Sequence, residues 1–417
     1  MADGKGFEPL RRGCRLLVFK TSSFGRSDNH PSVVLKALEI VLHICAGYCK
    51  AKLLSVVNDT SLLVSVQASR VEITNNRKVN AMKAVAEKEH GDAGVLEITE
   101  QQRPTPQTGQ VLIKVMAAGL NRADVLQRQG HYPPPAGESS VYGLEVSGVV
   151  EEIGEGVHAI SPGQEVMALL ASGGYAEYVA VDARQTLPVP HGVSLVEAAG
   201  IPEVAATVYS NLCMVAGVGE DPADNQGKSI LIHGGSGGIG AHAIELCVAL
   251  GLRVFATAST AQKCDFIRSM GAHPINYRDE DFVEGIERET DGAGVNYILD
   301  VVGGSYLDAN TRALAVEGAM VTIAVQGGAE GELNMARMMQ KRLSLHGRTL
   351  RAQDADAKAA VMEGVQRVVV PLIASGVVSV HVDRVFDLDD VVAAHEYFDS
   401  GQHTGKVLLK MSEGISS

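Results

Sequence analysis

The run Ser229-Ile230-Leu231-Ile232-His233 leads straight into Gly234-Gly235-Ser236-Gly237-Gly238-Ile239-Gly240. So short an apolar run reads as a buried strand, and the glycines after it predict a tight turn that opens a helix. Gly235 is expected to take the turn, Gly237 to leave room for a diphosphate against the backbone, and Gly240 to let the helix approach the strand. Ser236, Gly238 and Ile239 complete the loop. The helix is predicted from Ala241 to Leu250, with its free N–H groups and positive dipole end facing the anion. A second strand, Arg253-Val254-Phe255-Ala256-Thr257, follows at the right distance. Strand, turn, helix and strand in this order predict a parallel, doubly wound sheet that binds a dinucleotide.

The end of the second strand selects the dinucleotide. An acid there would hydrogen-bond a ribose 2′-hydroxyl, but the chain has Ala258-Ser259-Thr260-Ala261-Gln262-Lys263. Ser259 and Thr260 with the Lys263 cation welcome a 2′-phosphate, which predicts NADP(H). The competing reading is that Ser259 or Thr260 caps the next helix and Lys263 is a solvated charge. Capping and phosphate binding are compatible.

The 417 residues, 46% of them hydrophobic, suffice for two cores. The net charge of −13 is uneven, because residues 1–81 hold 12 of the 36 Lys and Arg but only 6 of the 49 acids. The acidic remainder is a poor nucleic-acid surface. Six scattered cysteines argue for a reducing compartment rather than a disulfide framework, and a cytoplasmic location is expected. In residues 1–81 the apolar stretch from Val33 to Val57 is broken by Lys36, Glu39, His43, Lys50 and Lys52, which is unfavourable for a membrane span. This segment reads as an extension, disordered or outside the fold, with Met82 opening the folded body. After Met82 the chain is mostly β, and after Pro202 helix-length segments alternate with short apolar strands. From about Arg348 a helix, a strand near His381–Phe386, a helix from Leu388 and a strand at Lys406–Lys410 close the chain.

Leu120-Asn121-Arg122-Ala123-Asp124, Gln127-Arg128-Gln129-Gly130-His131-Tyr132-Pro133-Pro134-Pro135, Gly143-Leu144-Glu145-Val146-Ser147-Gly148 and the glycine loop together resemble the zinc-independent quinone oxidoreductases of the medium-chain dehydrogenase/reductase superfamily. The resemblance runs from Met82 to about Met411. It implies an α/β protein: a GroES-like, mostly-β catalytic domain (82–204, returning at 347–417) and a Rossmann NADP-binding domain (205–346). It further implies that Ser236 and the glycine loop lie near the diphosphate, Thr260, Lys263 and Tyr277 around the 2′-phosphate, and Thr207 near the nicotinamide. Asn121 and Tyr132 would line the acceptor pocket. Lys406, after Thr404-Gly405, would approach the cofactor, unless it is a strand-end lysine in water. Ser259-Thr260 stands where relatives commonly have Gly-Ser, which alters the expected phosphate pocket.

Metal-dependent members place a Cys where this chain has Asn121 and Gly-His-Glu where it has Gly143-Leu144-Glu145, so no zinc is expected here. Cys45, Cys49 and His43 lack further paired ligands. Without a Lewis acid the acceptor must already be electrophilic, which points to NADPH-dependent reduction of quinones or enones. Asn121 and Tyr132 would hydrogen-bond its oxygen, although Asn121 could instead fix its turn and Tyr132 could be a pocket wall. His131, His233, His242, His395 and His403 pair with no nucleophile and read as surface or strand-end residues. Two other functions stay open: an enoyl-thioester reductase of the same superfamily, and a non-catalytic NADPH-binding sensor or RNA-binding protein. The resemblance also implies a homodimer.

Overall fold

The computed structural model describes residues 51–58, 61–68 and 81–412. In the extension, β1 (Ala51–Asn58) and β2 (Ser61–Ala68) pair antiparallel as a hairpin. The sequence reading had this segment as an extension, disordered or outside the fold. The valines at 56, 57, 64 and 66 favour strands. The hairpin belongs to a unit of its own, and the body runs from Asn80. Cys45, Cys49 and His43 lie outside the described residues.

The body is α/β. Strands β3 (Ala81–Glu87) and β4 (Leu96–Gln102) form an antiparallel pair, so the first strand of the body starts one residue before Met82. A seven-stranded sheet follows from β5 (Gln110–Gly119), β6 (Glu145–Ile153), β7 (Glu165–Leu169), β8 (Tyr178–Asp182) and β9 (Thr186–Pro188). Two strands from the end of the chain, β16 (Val382–Asp387) and β17 (Lys406–Lys410), complete it. The pairing of β17 with β5, Leu408 opposite Gly119, brings Lys406 to the first part of the body.

Between these segments lie β10 (Ser229–Ile232), β11 (Arg253–Ala258), β12 (His273–Asn276), β13 (Val295–Asp300), β14 (Leu314–Thr322) and β15 (Ser344–Gly347). They form a wholly parallel sheet in the order β12-β11-β10-β13-β14-β15. That is the order of a doubly wound dinucleotide-binding sheet, with the crevice at the carboxyl ends of the strands. Strand β10 shows why its sequence is uniformly apolar: Ile230 and Ile232 enter one core with Ala241 and Ile244, while Leu231 enters another with Phe255 and Ile298. Each such side chain, buried on a covered face, contributes about 1.5–3 kcal/mol.

Four helices position the site: α1 (Arg122–Arg128), α2 (Pro202–Asn211), α3 (Gly238–Ala249) and α4 (Ala261–Ser269). Helix α3 starts three residues earlier than predicted, because extended Gly237 (φ −80°, ψ 173°) is its N-cap and Gly238 and Gly240 belong to its first turn. No helix among the described residues is long and apolar enough to cross a membrane.

Candidate active site

The glycine turn divides its tasks differently from the sequence reading. Positive φ falls on Gly234 (+69°) rather than Gly235. At Gly235 a Cβ would lie 2.7 Å from the Ala256 Cβ, so that glycine serves the contact of the turn with β11. At Gly240 a Cβ would lie 2.3 Å from the Gly234 carbonyl oxygen, so the helix can meet the turn only without a side chain there. Gly237 differs, since its Cβ would meet nothing nearer than the Gly234 oxygen at 3.7 Å. Protein packing does not demand a glycine at 237, which leaves an approaching ligand as the physical reason for one. Ser236 is buried and its carbonyl accepts the Gly405 N–H at 2.8 Å, tying the turn to the start of β17. Ile239 packs against the core and Gly238 lies against the Lys406 stem.

At the end of β11, Thr260 caps α4 by accepting the Lys263 N–H at 3.3 Å, while Ser259 is partly exposed beside it. Lys263 Nζ donates to the Gly401 carbonyl at 2.6 Å. Burial lowers its pKa, Asp383 opposes that shift, and the neighbouring Arg278 adds to it. Tyr277, 43% exposed, is held to the same edge by its N–H on the Ala258 carbonyl at 3.1 Å. Two hydroxyls, a phenol and two cations thus share one rim. Arg278 was missed in sequence; its only signal was adjacency to Tyr277.

The pocket side is built on buried charge. Lys406 is not a strand-end lysine in water: it is 5% exposed, and its Nζ donates to Glu145 Oε1 at 2.6 Å, Asn121 Oδ1 at 2.8 Å and the Leu120 carbonyl at 2.9 Å. Three acceptors engage the three ammonium hydrogens, while the stem of the side chain runs against Gly238 of the glycine loop. Glu145 is fully buried and also accepts from Asn121 Nδ2 at 2.9 Å and from the Glu203 N–H at 2.9 Å. A Cβ at Gly119 would lie 2.2 Å from its Oε1, so the glycine at the end of β5 makes room for the carboxylate. Asn121 has its amide oxygen on Lys406 and its NH2 on Glu145 and on the Gly119 carbonyl (3.3 Å), which makes it a positioning residue of this cluster. Asp124 accepts the Asn121 N–H at 2.8 Å, the Gly143 N–H at 3.0 Å and the Tyr175 hydroxyl at 3.1 Å. Burial raises its pKa to about 6 against those bonds.

Tyr132 is half-buried. Its carbonyl accepts from Arg351 Nη1 at 3.0 Å, and the Arg351 guanidinium stands 5.3 Å from its ring centre. Arg351 also donates to the Ala171 carbonyl (2.7 Å) and Gln127 Oε1 (2.6 Å), so the returning segment is clamped to Tyr132, Ala171 and Gln127. Burial and then Glu203 raise the Tyr132 pKa, and Arg351 opposes them. Thr207, on α2, donates its hydroxyl to Glu203 Oε1 at 3.4 Å. Glu203 itself was missed; an acid in the first turn of a Pro-started helix looks like ordinary capping chemistry. Burial, then Glu145, raise its pKa to about 8, with Lys406 acting against them.

The histidines need a correction. His131 is exposed, but His233, His242, His395 and His403 are buried. Burial lowers His242 to about 4, His395 to about 3 and His403 to about 4. His395 and His403 act as neutral packing groups: the His403 ring stacks 4.6 Å from Phe398 and His395 meets Tyr175 edge-on at 6.0 Å. His233 does stand at a strand end, directly after β10, with its ring nitrogens on Thr257 Oγ1 (3.2 Å) and Asn310 Oδ1 (2.8 Å).

Residues 107–191 match the alcohol dehydrogenase GroES-like domain family and residues 270–409 the zinc-binding dehydrogenase family. The NADPH-complexed quinone oxidoreductase of Escherichia coli superposes with a TM-score of 0.70 at 29% identity, over 79% of this chain and 99% of that one. The chain belongs to the medium-chain dehydrogenase/reductase superfamily. Within this superfamily the CurK enoyl reductase is also similar, with a TM-score of 0.68 at 27% identity, over 79% of this chain and 99% of that one. Sequence relatives include a mycocerosic acid synthase-like polyketide synthase of Mycobacterium tuberculosis, 29% identical over 76% of this chain. Another is the reducing polyketide synthase rdc5 of Metacordyceps chlamydosporia, 31% identical over 73%. This chain covers only 15% and 12% of those two proteins. The residues do not fit a catalytic zinc, despite the description of one matching family. Asn121 and Leu144 are not zinc ligands, and Glu145 is engaged by Lys406. No cluster of three or more metal-ligating side chains occurs among the described residues.

Proposed function

We propose that this chain binds NADP(H) at the carboxyl ends of the parallel strands and reduces quinones, or related conjugated enones, without zinc. The observation that carries this reading is the Lys406 ammonium bound to Glu145 and Asn121, a protein cation in the pocket of a fold whose metal-dependent members hold an ion. The N–H groups at the start of α3 and the backbone around Gly237 would take the diphosphate. Ser259, Thr260, Lys263 and Tyr277, with Arg278, would take the 2′-phosphate, and Thr207 would face the nicotinamide. Bound there, NADPH supplies a hydride.

The chain's own residues then decide which acceptor can use it. With no Lewis acid to polarise a simple ketone, charge arriving on the acceptor must be spread by its own conjugation and met by donors of the pocket. Tyr132 offers a phenol that burial keeps protonated. Lys406, Asn121 and Glu145 form one bonded cluster, and Glu145 holds the start of α2 in place through the Glu203 N–H.

A second reading, reduction of enoyl-thioesters, is favoured by the likeness to the CurK enoyl reductase. Initial rates of NADPH and NADH oxidation with 1,4-naphthoquinone and with crotonyl-CoA test both. Naphthoquinone turnover with NADPH preferred is the expected result. Faster turnover of crotonyl-CoA gives the second reading, and tight NADPH binding without turnover of either acceptor rejects both.

A further inference from the structure

We propose that Glu203 is the proton donor of this cleft, completing the reduction of an enone or enoyl acceptor by protonating the carbon next to its carbonyl. The proposal deepens the functional reading above and rests on it. Glu203 is the second residue of α2, and its backbone N–H is fixed by Glu145. That anchor sets the side chain at the cleft, where it remains partly accessible and bonds the Thr207 hydroxyl one turn along the helix. The groups facing it are the Glu145 and Asp124 carboxylates, the Tyr132 phenol and the Lys406, Arg351 and Lys358 cations. None of those cations forms an ion pair with it among the described residues. Lys406 is bound to Glu145, and Arg351 to Ala171, Tyr132 and Gln127. Burial first, then the Glu145 carboxylate and to a smaller extent Asp124, raise its pKa to about 8, so this carboxyl group, which has no salt-bridge partner among the described residues, retains its proton at neutral pH.

The step balances. Hydride from the nicotinamide adds to the carbon remote from the carbonyl, the double-bond pair moves onto the α carbon and oxygen, and NADP+ is released. The carboxyl O–H of Glu203 breaks, its proton goes to the α carbon, and its electron pair stays on the carboxylate, which water reprotonates through the open side of the cleft.

Infrared titration of the free protein and enone kinetics with Glu203→Gln and Glu203→Asp test the assignment. The wild-type protein is expected to lose a protonated-carboxyl band with a midpoint near pH 8, and Glu203→Gln to lack that band. With 2-cyclohexenone, Glu203→Gln is expected to lower kcat about 10²-fold, leave KM within about twofold and remove the alkaline limb of the pH profile, while Glu203→Asp restores part of kcat. Absence of the band from the wild-type protein overturns the assignment whatever the fate of the variants. So does wild-type enone turnover with an unaltered kcat and pH profile in Glu203→Gln. Wild-type protein inert toward quinone and enone alike contradicts the functional reading itself, and the assignment falls with it.

Discussion

The two sides of the cleft are built by different means. On the nucleotide side the work falls to backbone: glycines at 234, 235, 237 and 240, the first turn of α3 and the cap of α4, all within one contiguous stretch of chain. On the acceptor side it falls to buried charged side chains brought together from far apart, Lys406 and Asn121 being 285 positions apart in the chain and Arg351 and Gln127 224. A backbone site depends on the space left by missing side chains, whereas a charged site depends on every partner being present. They should therefore break in different ways.

The largest effect belongs to the charged side. Lys406→Met leaves the Glu145 carboxylate buried without its cation and should reduce stability in urea unfolding by about 3–5 kcal/mol. Adding Glu145→Gln should recover most of that loss. A Lys406→Met protein of unchanged stability would show that the cluster does not hold the pocket together.

On the backbone side, two glycines three residues apart should behave oppositely. Gly240→Ala puts a methyl 2.3 Å from a carbonyl oxygen and should cost about 2–3 kcal/mol in the free protein. Gly237→Ala meets nothing within 3.7 Å, so its melting temperature should match the wild type while NADPH affinity, read by calorimetry, falls about tenfold. A similar loss of melting temperature in both would mean that packing alone explains the motif.

Titration sharpens the contrast further. The pKa of Glu203 rises from an ordinary 4.5 to about 8 on folding. The stability it contributes is thus fully present below pH 4.5 and is lost as pH rises through 8. Glu203→Gln removes that dependence, so denaturation between about pH 6.5 and 9 should show the variant gaining on the wild type by roughly 2 kcal/mol as pH increases. A constant difference across the range would place an ionised carboxylate at this position. The smallest effect is at the rim: Lys263→Met should lower the preference for NADPH over NADH about tenfold, about 1.4 kcal/mol, with NADH binding unchanged.

The same contrast explains what could be read from the sequence. The parallel sheet, the glycine turn and the capping of α4 were legible because each rests on neighbours in the chain, and strand order follows from alternating strands and helices. Even there, the assignment of the turn to Gly235 and the start of α3 at Ala241 missed by one to three residues. The Lys406–Glu145–Asn121 cluster arises only when the final strand inserts beside β5, and the Arg351 clamp and the nearness of Glu203 to Tyr132 likewise join residues far apart in the chain. No local pattern marks them. The buried histidines were misread for the same reason, since a neutral imidazole packed on Tyr175 or Phe398 looks in sequence like any polar residue.

The central claim is that a protein cation, rather than a metal, organises a pocket which reduces only acceptors that are already electrophilic. The most direct test is NADPH oxidation by chelator-treated, metal-free protein with 1,4-naphthoquinone and with the unactivated ketone cyclohexanone. The account predicts quinone turnover undiminished by chelation and no measurable turnover of cyclohexanone. Turnover of cyclohexanone that disappears with the metal and returns on adding zinc would contradict it.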